Sequence, residues 1–110
     1  MSSNGLDHHW YLVSSHGSIL FYIALHPGCT IREIADSLAL TERTIWGLIG
    51  DLRCAGMLNV VRSGHRHHYT ANLDAEFRHP VLESVPLRVI LGELVDRYAR
   101  DEEDRELIAV

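Results

Sequence analysis

The chain has 110 residues, 46% of them hydrophobic and 23% charged, with only two cysteines. These figures suit one globular core and exclude a disordered, collagenous or disulfide-built chain and a two-domain enzyme. The formal charge of −5 counts against nucleic acid at first sight, because cations that neutralise phosphates supply most non-specific affinity for a duplex.

Residues 1–14 read as an N-terminal arm, in which His8-His9-Trp10-Tyr11 is expected to cover the core or a partner. The start lacks a basic segment followed by an apolar run, and no apolar stretch approaches the roughly 20 residues of a membrane span. No membrane association and a cytoplasmic location are the expectations. Cys29 and Cys54 form no C-x-x-C pair and read as reduced thiols.

From Ser15 to Leu25, Ile19, Leu20, Ile23 and Ala24 fall at helical spacing, and His26-Pro27-Gly28 ends the pattern. Thr30-Ile31-Arg32-Glu33 is a capping box: the threonine hydroxyl takes the Glu33 amide while the carboxylate reaches back. A second helix starts at Ile31, with Ile31, Ile34, Ala35 and Leu38 on its inner face. Thr41 caps a third, in which Ile45, Leu48, Ile49 and Leu52 repeat at i, i+3, i+4 and i+7 and Gly56 supplies the stop. Met57 to Arg62 and His65 to Thr70 then read as two strands around a Ser63-Gly64 turn. After a polar linker, residues 73–85, a helix carries Pro86 in its first turn. Its stripe is Leu87, Ile90, Leu91, Leu94, Val95 and Tyr98, and Asp101 to Glu106 form an acidic tail.

Three helices, then a hairpin, make a winged helix-turn-helix over residues 15–72, mainly α with a small β-hairpin (α+β), to which residues 86–110 add a C-terminal helix. The words Ile31-Arg32-Glu33-Ile34-Ala35, Leu40-Thr41-Glu42-Arg43-Thr44-Ile45, Asp51-Leu52, Ala55-Gly56-Met57-Leu58 and His68-Tyr69 resemble the winged helix-turn-helix of bacterial and archaeal transcriptional regulators of the MarR/ArsR-like type. The similarity is greatest to small regulators with an Arg-His-Pro word after the wing, here Arg78-His79-Pro80. That resemblance implies a dimer on double-stranded DNA, with the third helix in the major groove, the wing on the flanking backbone and terminal helices at the dimer seam. The six stripe residues of the last helix are the candidates for that seam.

On the third helix, Arg43, Gly47, Gly50 and Cys54 lie opposite the buried stripe, with Trp46 and Asp51 beside them. Thr41 and Thr44 suit phosphates at the positive end of the helix dipole, and Arg43 suits a guanine edge. Related regulators usually carry polar or basic side chains where Trp46 and Gly47 stand, so Trp46 either meets DNA or packs under the wing or at a contact with another protein or subunit. Gly47 and Gly50 cost about 1 kcal/mol each in helix propensity relative to Ala, which suggests close approach of the helix backbone to something outside it.

In the wing, Arg62, Ser63, Gly64, His65 and Arg66 are candidates for DNA contact. From Leu52 to Thr70 there are three Arg and no acid. Residues 1–82 hold six Arg and seven acids, whereas residues 83–110 hold four Arg and eight acids; the acidity belongs to the C-terminal end. His65, His67 and His68 raise the alternative of a metal- or redox-responsive regulator of the same fold, with His8, His9, His16 and Cys29 as further ligands, but on a strand only His65 and His67 share a face. No metal ligand set or cofactor is assigned, and an effector is left open. No nucleophile elbow, P-loop or H-E-x-x-H occurs, so an enzyme is not expected. A protein-interaction module built on Trp46 is the other alternative.

Overall fold

The computed structural model describes residues 11–109, with side chains as far as Arg105. Its elements are α1 (Ser15–Leu25), α2 (Ile31–Leu38), α3 (Glu42–Cys54), β1 (Leu58–Ser63), β2 (Arg66–Ala71) and α4 (Leu87–Ala109). The helix starts follow their local signals. Ser14 accepts the Gly17 amide at 3.2 Å, and both halves of the predicted Thr30–Glu33 box form. Thr41 caps α3 by accepting the Thr44 amide at 3.1 Å. Gly56 follows α3 with φ +76°, a left-handed conformation that glycine adopts without a Cβ clash. The turn between α2 and α3 instead uses Ala39 at φ 56°, a non-glycine exception that sequence signals do not announce.

Thr30 donates its amide to Glu33 Oε1 at 2.8 Å and its hydroxyl to the same oxygen at 3.0 Å. Those two bonds, the amide first, hold the Glu33 carboxyl below the usual carboxylate range. A carboxyl with a depressed folded pKa stabilises the fold above its unfolded value of about 4.3, and the contribution disappears as pH falls through the folded value. Glu33→Gln should therefore lower stability at pH 7 by about 0.5 kcal/mol, with the two melting curves meeting below about pH 4. Thermal melts from neutral to acid pH check this; a gap that persists in acid would show that the charge is not what matters.

One cluster forms the core. Ile19, Leu20 and Ile23 of α1, Ile31, Ile34 and Ala35 of α2, and Ile45, Ile49 and Leu52 of α3 converge on Met57, Leu58 and Tyr69 at the base of the hairpin. Truncating a residue such as Ile45 or Ile49 to Ala in a packed core costs about 2–5 kcal/mol, so this cluster fixes how α3 presents its outer face. The hairpin is antiparallel, with Val60 opposite Tyr69 and Arg62 opposite His67. Its base is tied to the α1–α2 loop: Gly28 donates its amide to Tyr69 O at 2.9 Å, Tyr69 to Cys29 O at 3.1 Å, and His68 Nδ1 to Gly28 O at 2.7 Å. Cys29 is buried there, and desolvation, with the Glu33 carboxylate adding to it, pushes its thiol up to about 11.

Four expectations change. The turn centres on Gly64 and His65 rather than Ser63-Gly64, because Ser63 pairs with Arg66; φ is positive at Gly64 (64°) and not at His65, the pattern of a type II′ turn. The expected linker is a hydrogen-bonded loop. Phe77 donates its amide to Val85 O, Leu87 to Ala75 O and Arg88 to Leu73 O, each at 2.8 Å, while Ala75 and Phe77 pack against the core. The acidic tail continues α4 as helix to Ala109. Finally, Leu87 and Leu91, expected at a dimer seam, are each 1% exposed in the chain's own core, because the loop turns the start of α4 back onto α1. Of the N-terminal arm, residues 1–10 with His8, His9 and Trp10 lie outside the described residues; Tyr11 and Leu12 are 78% and 93% exposed and cover no core of this protomer.

Candidate nucleic-acid interface

The outer face of α3 and the hairpin tip form one side of the molecule. The N-terminus of α3 opens it. Thr41 and Thr44 share a hydroxyl–hydroxyl bond of 2.9 Å, so one of their two protons is held between them and one remains for a phosphate oxygen. Backbone amides in the first turn of a helix lack intrahelical partners and favour an anion. Arg43 follows, exposed.

Trp46 stands one turn further on, 51% exposed. Its indole meets the His67 imidazole of β2, with ring centroids 6.4 Å apart and planes at 73°, an edge arrangement within the range of favourable aromatic pairs. Neither the DNA contact nor the packing under the wing foreseen for Trp46 excludes the other, since one edge touches the wing while half the side chain faces solvent. A Cβ added at Gly47 or Gly50 would meet nothing within 4 Å, so no neighbour within the described residues requires glycine at either place. Asp51, beside this ridge, turns to α1 and accepts from His16 Nε2 at 2.8 Å. Cys54 is exposed at the end of the helix.

In the hairpin, strand register places Arg62 and His67 on the face that carries Tyr69, and Ser63, Arg66 and His68 on the other. Arg62 and Arg66 thus straddle the wing, and Gly64 and His65 form the exposed tip. The histidines part company. His65 sits in the turn, His67 against Trp46, and His68 on a backbone carbonyl, which can only accept and so fixes Nδ1–H as donor. His16 pairs with Asp51 and Cys29 is buried; among the described residues no three His, Cys, Asp or Glu side chains come together as a metal site. The ring contact of His67 with Trp46 and the hydrogen bond of His68 to Gly28 join segments distant in sequence, and no local spacing announces either.

The arginines divide by position. Arg88 pairs with Asp74, Arg97 and Arg100 with Glu93, and Arg105 with Glu102. The six in residues 1–82, Arg43, Arg62 and Arg66 among them, make no ion pair among the described residues. Positive charge is available on the helix-turn-helix and wing, while that of the C-terminal helix is already matched by carboxylates. On α4, Val89 is 61% and Leu94 41% exposed, with Ile90, Val95 and Tyr98 half-buried; Tyr98 lies against His26, the residue that follows α1.

Residues 14–58 match a protein family described as winged helix-turn-helix DNA-binding. Among solved structures, the chain is similar to MepR, a transcription regulator of the Staphylococcus aureus multidrug efflux pump MepA, with a TM-score of 0.53 and 17% identity over 89% of this chain and 65% of that one. The fold is a winged helix-turn-helix. A mutant MepR from a multidrug-resistant S. aureus clinical isolate is similar to the same extent, with a TM-score of 0.52 and 17% identity over 88% of this chain and 64% of that one. The chain thus spans just under two thirds of the length of either regulator. No curated protein sequence matches it. Among the described residues, no helix is long and apolar enough to cross a membrane.

Proposed function

We propose that the protein is a sequence-specific DNA-binding transcription regulator that acts as a dimer in the cytoplasm, with α3 in the major groove and the wing on the flanking backbone. The observation that carries this reading is the division of the arginines. Arg43, Arg62 and Arg66 stand exposed around α3 and the wing, without an ion-pair partner among the described residues, where phosphates and a base edge would meet them, while the C-terminal arginines are already matched by carboxylates. The family match over residues 14–58 and the likeness in fold to a transcription regulator support it.

Thr44 or Thr41 contributes the remaining hydroxyl proton to a phosphate, Arg43 reaches a guanine edge, and the tip Ser63-Gly64-His65 approaches the neighbouring backbone. Gly47 lets the helix backbone lie close to the base edges. The dimer seam of this reading is the part of α4 left uncovered by its own core: Ile90, Leu94 and Val95, flanked by Val89 and Tyr98. Two copies joined there would present their α3 helices to half-sites about 34–36 Å apart.

Selection from a random DNA pool at a stated salt concentration tests the reading. It should enrich a two-fold symmetric site, and Arg43→Ala should relax preference at one base pair per half-site by about 1–3 kcal/mol. A pool that stays unenriched, or binding that is unchanged when Arg43, Arg62 and Arg66 are all replaced, would overturn it.

A further inference from the structure

We propose that Trp46 is a base-reading residue of this surface, seating its exposed indole against the C5-methyl of a thymine, and that His67 is the positioning residue that holds the indole for that contact. This inference rests on the DNA-binding reading above and adds to it the chemical feature that is read.

The position comes first. Trp46 lies in the second turn of α3, and in this architecture the N-terminal part of the third helix is what reaches base edges. Its neighbours on the exposed side offer little polar readout. Gly47 and Gly50 have no side chain, Asp51 is held by His16, and one proton of the Thr41–Thr44 pair is internal. Arg43 can serve one guanine. What remains at the centre of the face is a large apolar ring, and the apolar feature that the major groove displays is the thymine methyl.

The ring is also directed. A tryptophan half in solvent samples several rotamers, which would cost entropy on binding. Here the His67 imidazole stands edge-on to it at 6.4 Å. His67 is two residues from Tyr69, whose amide and carbonyl are both bonded to the α1–α2 loop, and two from His65 in the turn, so the imidazole stands midway along a strand whose far end is anchored. His67 and Arg62 are cross-strand partners, which sets the indole beside the arginine expected on the backbone.

The test uses the full chain and the best duplex from random-pool selection. Each thymine is replaced in turn by deoxyuridine, which removes only the methyl, and affinities are compared by fluorescence anisotropy at one salt concentration. Wild type should lose about fourfold in affinity at one position per half-site, the worth of one buried methyl group. Trp46→Ala should bind the thymine and uracil duplexes equally. His67→Ala should narrow the ratio between the two duplexes, and His67→Phe, which keeps an aromatic edge, should restore it. A purely structural His67 would instead change melting temperature, or both affinities together, and leave the ratio intact. Equal binding of thymine and uracil by wild type at every position would overturn the proposal, as would a ratio that survives in Trp46→Ala, or a Trp46→Ala variant whose only defect is loss of a protein partner. If no duplex is enriched at all, the DNA-binding reading falls and takes this inference with it; an enriched duplex without methyl discrimination removes the inference alone.

Discussion

Replacing Arg62 and Arg66 together by Ala should weaken binding to every duplex, specific or not, by about 10- to 100-fold per protomer at moderate salt, and should make the slope of log affinity against log salt shallower by about 2 per protomer. Both consequences follow from losing two phosphate contacts and the counterions they release. The two arginines lie on opposite faces of the hairpin, so one side chain does not stand in for the other, and each single variant should give about half of the slope change. The sequence preference of the remaining binding should be unaltered, since neither residue reaches a base edge in this reading. Arg88→Ala and Arg100→Ala are the controls: both side chains already sit on carboxylates and should change neither slope nor affinity. Titrations over a range of salt concentrations decide the matter. An unchanged slope in the double variant would remove the wing from the interface.

The second large effect is expected on α4. Leu94→Asp should turn a dimer into a monomer in sedimentation at micromolar concentration while leaving the helical circular-dichroism signal in place, because Leu94 is 41% exposed and outside the core. Specific DNA affinity should fall by about 100-fold or more, since the two half-sites would then be filled independently rather than by one tethered pair. Leu91→Asp, one helical turn earlier, should unfold the domain instead, because a carboxylate there would replace a side chain 1% exposed in the core. A wild-type protein that sediments as a monomer, or a Leu94→Asp protein that remains a dimer, would refute the assignment of this face.

That contrast between two leucines one turn apart also marks where the sequence stops being legible. The order of elements, the caps at Thr30 and Thr41 and the stop at Gly56 are local events. Each depends on residues within about one turn of one another, and each appears where its residues indicated. The apolar stripe of α4 was equally plain, but a stripe records that a face is covered and not what covers it. Leu87 and Leu91 meet α1 because of backbone bonds from the preceding loop, which no periodicity foretells. The turn was misplaced by one residue for a similar reason, since strand register is set across the hairpin and by the Cys29–Tyr69 bridge. Asp101 to Glu106 read as a tail because they are nearly all charged, yet pairs at helical spacing, such as Arg105 with Glu102, suit a helix. At the candidate interface, Arg43, Trp46 and Arg62 could be picked out by type and position, whereas the contact of Trp46 with His67 joins residues 21 positions apart.

The burial of Leu87 and Leu91 gives α4 the mechanics of a lever. The helix is buried at those two points, keeps one looser contact beyond them, of Tyr98 with His26 at 3.4 Å, and runs a further 18 residues past Leu91 to Ala109, a rise of about 27 Å. A change of about 5° in its packing angle, small enough to be absorbed by the surrounding side chains, would carry the far end through about 2 Å. The fulcrum lies in the same core as Ile45 and Ile49, the residues that seat α3. Displacement at the acidic end is therefore geared down as it reaches the groove-facing helix, and any shift of α3 is magnified on its way out.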